Sequence, residues 1–74
     1  MKYAVIIEKG ETGCSAYVPD LPGCVAAART EQEVRHLIRE AIQFHIEGLE
    51  LHGEPVPEAT SLCEYVDTLV TQPG

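Results

Sequence analysis

Apolar and polar positions alternate from Tyr3 to Glu8, with Tyr3, Val5 and Ile7 on one side and Ala4, Ile6 and Glu8 on the other. The period of two and the β-branched and aromatic content predict a strand. Lys9-Gly10-Glu11-Thr12-Gly13 supplies a hairpin loop, and Cys14 to Val18 returns antiparallel as a second strand. A glycine-bearing loop can also cradle a phosphate. This one lacks the Gly-x-x-x-x-Gly-Lys spacing and leads into a strand, so the turn reading holds. Pro19-Asp20-Leu21-Pro22-Gly23 stops the sheet, because two prolines in five residues remove ladder donors. Pro22-Gly23 fits the centre of a type II turn, with Gly23 at positive φ. Cys24 to Ala28 follows as a short third strand, placed by position more than by propensity, since alanine is a weak strand former.

The period then changes. Thr30-Glu31-Gln32-Glu33 is a capping box: the Thr30 hydroxyl accepts from the Glu33 amide while the Glu33 side chain returns to the Thr30 amide. Glu31 and Glu33 also suit the positive end of the helix dipole, and Glu31 stands four residues before Arg35. The helix is predicted from Glu31 to about His52, stopped by a left-handed Gly53 with Pro55 beyond it. At about 100° per residue, Val34, Leu37, Ile38, Ala41, Ile42, His45, Gly48, Leu49 and His52 share one broad face. Phe44, Ile46 and Leu51 lie on its flanks and widen the apolar arc beyond the roughly 100° stripe that covering a sheet needs. The first strand likewise carries apolar residues on both faces, and a single helix covers only one. These surpluses predict a second contact surface, with self-association as a dimer or higher and Phe44, Ile46 and Leu51 as its residues.

Pro55-Val56-Pro57-Glu58 reads as an extended exit, and Tyr65 to Val70 alternates as a last strand. The resulting order, β-β-β-α-β, is an α+β domain: a small antiparallel sheet with one long helix packed on one face. Residues 1–70 are read as this domain and Thr71-Gln72-Pro73-Gly74 as a frayed end. Whether the last strand pairs within the chain or against another copy is left open by the pattern.

Seventy-four residues bury only about 60% of the surface of the unfolded chain, so the core is marginal and gains from a partner. Twelve acids against five bases give a net charge of −7. Non-specific nucleic-acid affinity rests on Lys and Arg at phosphates, and here the five are scattered along the sequence, so direct nucleic-acid binding is not expected. A basic protein partner is. The N-terminal apolar run is too short for a signal peptide or a membrane span, and no membrane partner is expected.

Chemistry is sparse. Cys14, Cys24 and Cys63 form no C-x-x-C pair and are read as reduced thiols of a cytoplasmic protein. His45 and His52 lie two helical turns apart, about 10 Å, too far for one metal ion, and read as hydrogen-bonded tips at the edge of the apolar face. His36 points to solvent on the opposite side. Glu8, Asp20 and Asp67 are the acids near the sheet, and nothing in the spacing sets them up as an acid–base pair. No catalytic residue, metal site or cofactor is predicted. A small hydrolase or nucleotide-handling domain and an orphan homo-oligomeric scaffold are the rival classes.

Several stretches together resemble the HicB-like antitoxin family. They are the opening Met1-x-Tyr3-x-Val5-x-Ile7, then Tyr17-Val18-Pro19-Asp20-Leu21-Pro22-Gly23-Cys24, then Thr30-Glu31-Gln32-Glu33 with Glu40-Ala41-Ile42, and Gly53-Glu54-Pro55-Val56-Pro57. The resemblance spans about residues 1–70. It implies a partial RNase H-like fold and a non-enzymatic protein that blocks a HicA toxin, a small basic ribonuclease with a double-stranded-RNA-binding-domain-like fold. Many members continue into a DNA-binding domain; with no such segment after Val70, operator binding is not expected. Charge placement makes Asp20, Glu40, Glu47 and Glu50 the candidate partner-binding acids.

Overall fold

A computed structural model describes residues 2–69. Three strands, β1 (Ile6–Lys9), β2 (Cys14–Tyr17) and β3 (Val25–Ala28), precede one helix, α1 (Glu31–Leu51). The sheet is an antiparallel meander in the order β1-β2-β3. Ile7 faces Ala16 across one ladder and Ala16 faces Ala26 across the next. In this register Ile7, Cys14, Ala16, Ala26 and Ala28 pack toward α1, where Val34 and Ile38 are buried. The small side chains of β2 and β3 allow the helix to sit close on the sheet.

β1 starts later than its apolar pattern. Tyr3 and Val5 pack against the core, yet the ladder begins at Ile6. Ile6 pairs with Tyr17, the last residue of β2, and two residues later Pro19 turns the chain away. Ala4 and Val5 therefore have no β2 backbone left to pair with. The turn that replaces it is closed by the Cys24 amide donating to the Leu21 carbonyl at 3.0 Å, with Gly23 at φ 85°. That positive φ, after a proline, is the type II geometry expected from the sequence. Leu21, at the start of the turn, is fully buried.

The helix starts where the capping box places it. Thr30 is extended and its hydroxyl accepts from the Glu33 amide at 3.1 Å. The Glu33 carboxylate does not return to the Thr30 amide; instead it accepts from the Thr30 hydroxyl at 3.0 Å. His52 closes the far end, its Nδ1 lying 2.8 Å from the Gly48 carbonyl, and Gly53 follows at φ 67°.

The expected last strand is a correction. From Glu54 to Leu69 the described chain forms no ladder, and Val70 and the tail 71–74 lie outside the described residues. Tyr3 donates its hydroxyl hydrogen to the Pro57 carbonyl and Asp20 binds Thr60 and Ser61, so the exit is tied to the body as far as Ser61. Beyond that point Leu62, Tyr65 and Leu69 are 95%, 97% and 107% exposed. The segment beyond Ser61 has strand composition but lies on neither sheet edge, so its backbone finds no ladder partner among the described residues. The fold is β-β-β-α with an extended C-terminal arm.

Candidate docking site

The outer side of α1 is read from its period. Leu37, Glu40, Phe44, Glu47 and Leu51 recur at three- and four-residue steps and so form one stripe. All five are exposed, Phe44 at 79% and Leu51 at 83%. The stripe borders the outer edge of β3, and between them runs an open groove floored by Leu37, Ala41 and Val25 and rimmed by Glu40, Phe44 and Glu47. The outer edge of β3 pairs with nothing among the described residues. His36 Nε2 stands 3.2 Å from Glu40, and Gln43 donates to Glu47 at 3.2 Å.

The structure thus brings together two of the four acids singled out from the sequence, Glu40 and Glu47, and sets Phe44 and Leu51 on the same stripe. Glu50 is exposed on the helix but does not line the groove. Ile46 is half-buried and packs against the core. Asp20 is engaged within the chain: its carboxylate accepts from the Thr60 and Ser61 amides at 3.1 and 2.9 Å and from their hydroxyls at 3.0 and 2.9 Å. These bonds, led by the Ser61 amide, hold its carboxyl below the usual carboxylate range.

The other flank of α1 faces β1 across a second open groove, which the sequence reading did not find. Lys2, Lys9, Arg35 and Arg39 line it, four of the five basic residues of the chain, around Val5, Ile7, Ile38 and Ile42. Their positions in sequence are scattered; antiparallel packing of helix on strand collects them. Glu31 alone offsets them, binding Lys9 at 2.7 Å and Arg35 at 2.9 Å. Those two cations, Lys9 first, draw the Glu31 carboxyl below its ordinary value, and Glu31 in turn raises the Lys9 ammonium. Cys24 is buried, which pushes its thiol up and keeps it an apolar packing group.

Over residues 3–72 the chain matches the family described as the HicB-like antitoxin of bacterial toxin–antitoxin systems. The chain belongs to the HicB-like antitoxin family. Two relatives match over most of their own length and a third over half of it. A UPF0150 protein of Thermoplasma acidophilum is 47% identical over 58 residues, covering 77% of this chain and 84% of that protein. Another, from Synechocystis, is 35% identical over 69 residues, covering 92% and 87%. An uncharacterized 14.9 kDa protein of Haemophilus phage HP1 is 39% identical over 67 residues, and the HicB-like chain spans half of its length. Among the described residues no helix is long and apolar enough to cross a membrane.

Proposed function

We propose that this HicB-like chain is an antitoxin that binds and neutralises a small basic ribonuclease of the HicA type in the cytoplasm, with no catalysis of its own. The observation that carries the reading is the acidic groove beside the free β3 edge, in a chain of that family. A basic partner brings cations to Glu40 and Glu47. Its apolar side chains meet Leu37, Phe44 and Val25, and an extended segment can add to the unpaired strand. Asp20 and Glu50 lie beyond the groove and extend the negative potential that steers the encounter. When toxin is absent, Phe44 and Leu51, with the half-buried Ile46 behind them, serve self-association instead.

The test is a search of the neighbouring reading frames for a small basic protein, followed by a ribonuclease inhibition assay with it. Inhibition at stoichiometric ratio is expected, weakening as salt rises, because exposed charges are screened. The double substitution of Glu40→Lys with Glu47→Lys should slow association about tenfold or more while dissociation changes less. Full inhibition by a variant carrying Phe44→Ser with both lysines would rule out this groove. Specific binding of the purified chain to an operator fragment would overturn the DNA-silent reading.

A further inference from the structure

The cationic groove and the exposed arm are complementary. From Glu64 to Leu69 the arm carries two acids, Glu64 and Asp67, and no cation. In an extended segment Tyr65, Asp67 and Leu69 fall on one side, two apolar groups about a carboxylate. The groove offers an apolar floor, Ile7, Ile38 and Ile42, beneath Arg35 and Arg39. Arg39 and Lys2 have no ion pair among the described residues. Along the same groove runs the outer edge of β1, whose backbone pairs, among the described residues, only with β2.

We propose that the arm of one copy docks as an added strand on the β1 edge of a second copy, Asp67 meeting Arg39 and Leu69 covering Ile38 and Ile42. Three observations favour a second copy over the chain's own groove. The arm leaves the body after Ser61 and stays exposed, Val66 at 70% and Leu69 at 107%. Tyr65 reaches the mouth of its own groove but is still 97% exposed there. The molecule is 55 Å long, against about 31 Å for a 21-residue helix. A two-fold exchange fills both grooves and uses both arms, leaving no arm unpaired. It also adds apolar burial to a core that counts six buried residues among those described. The inference deepens the self-association proposed above, independently of the toxin, and adds a contact on the opposite flank of α1.

Charge exchange between chains tests it. Arg39→Glu alone and Asp67→Lys alone should each weaken the dimer about tenfold or more, since each places like charges in both contacts. Mixing the two variants should restore it. In the mixed dimer Glu at 39 meets Lys at 67 in one contact, and Arg39 meets Asp67 in the other. Sedimentation velocity reads the outcome as a return to twice 8.1 kDa. Both positions are exposed, so the variants should fold, and circular dichroism checks that they do. Two singles that lose the dimer and do not recover on mixing would place the arm on its own chain and overturn the proposal. A wild-type chain that is monomeric at high concentration would overturn this inference and the self-association reading together. A dimer indifferent to both substitutions but broken by Phe44→Ser would overturn only this one.

Discussion

The two grooves that flank α1 are built from the same helix and opposite edges of the same sheet, yet they carry opposite charge. On the β3 side Glu40 and Glu47 rim an apolar floor; on the β1 side Lys2, Lys9, Arg35 and Arg39 rim another. A net charge of −7 describes neither. The difference follows from where each helical charge falls around the axis: Arg35 and Arg39 are one turn apart on one flank, Glu40 and Glu47 two turns apart on the other. A small protein can therefore present two separate surfaces selective for partners of opposite sign, where its mean charge suggests one.

The most damaging way to break this comparison is to remove the frame both grooves share. Ile38 is buried at 3% exposure and touches the sheet from the middle of α1. Ile38→Ala should cost about 2–5 kcal/mol by cavity formation, enough to threaten a domain this small, and both partner contacts should fail together. Thermal unfolding followed by circular dichroism measures it.

Next is Gly13, at the tip of the β1–β2 hairpin. A Cβ there would lie 2.7 Å from the Ala28 carbonyl oxygen, at the end of β3. Gly13→Ala should destabilise by about 1–3 kcal/mol, because the clash is with backbone. Gly10→Ala, whose Cβ meets only a 3.5 Å contact, should cost less. Equal melting temperatures for the two would show that the hairpin tip does not press on β3.

Thr30→Ala removes the N-cap acceptor and should cost about 1 kcal/mol. Its damage is local to the first helical turn, where Glu31 sits, so hydrogen exchange should rise on the basic flank before the acidic one. Uniform exchange along α1 would contradict that order.

The smallest effect is on acidification. The Asp20 carboxyl titrates lower in the folded chain than in the unfolded one, so its contribution is whole above the ordinary carboxylate pKa. It is lost as pH falls through the lowered folded value. The amides of Thr60 and Ser61 should lose protection in that acid window while the helix keeps its own. Amide protection of these two residues that stays unchanged far below the ordinary carboxylate range would show that Asp20 does not hold them.

Local signals were the legible ones. The capping box, the Pro22-Gly23 turn and the hairpin glycines each act within five residues, and each stands where the sequence puts it. The family resemblance rests on the turn and the capping box together with the opening Met1–Ile7 pattern, Glu40-Ala41-Ile42 and the Gly53–Pro57 exit. What distance in sequence hides is what the structure adds. Asp20 reaches Thr60 and Ser61 across 40 and 41 residues, and no local pattern announces that bond. Lys2 and Arg39 are equally remote, so the basic groove was invisible as long as the cations were counted along the chain. On the acidic side, the helical period puts Glu40, Phe44 and Glu47 on one stripe, but the stripe becomes a groove only beside β3. The arm illustrates a third limit: alternation from Tyr65 records a preference for pairing and says nothing of where the partner edge lies.

The Asp20 clamp sets an effective concentration. Leu69 is the sixteenth residue counted from Glu54; with the chain tied at Ser61, it is only the eighth residue of the tether that searches for the edge. For a flexible chain the typical reach falls from about 22 Å to about 16 Å. The accessible volume shrinks roughly threefold, and the local concentration of the arm rises by the same factor. Once one arm is seated in a pair of copies, the second docks within the same assembly, so a shorter tether strengthens closure without any contact of its own. One loop carboxylate between β2 and β3 thus sets how readily the arm finds its match.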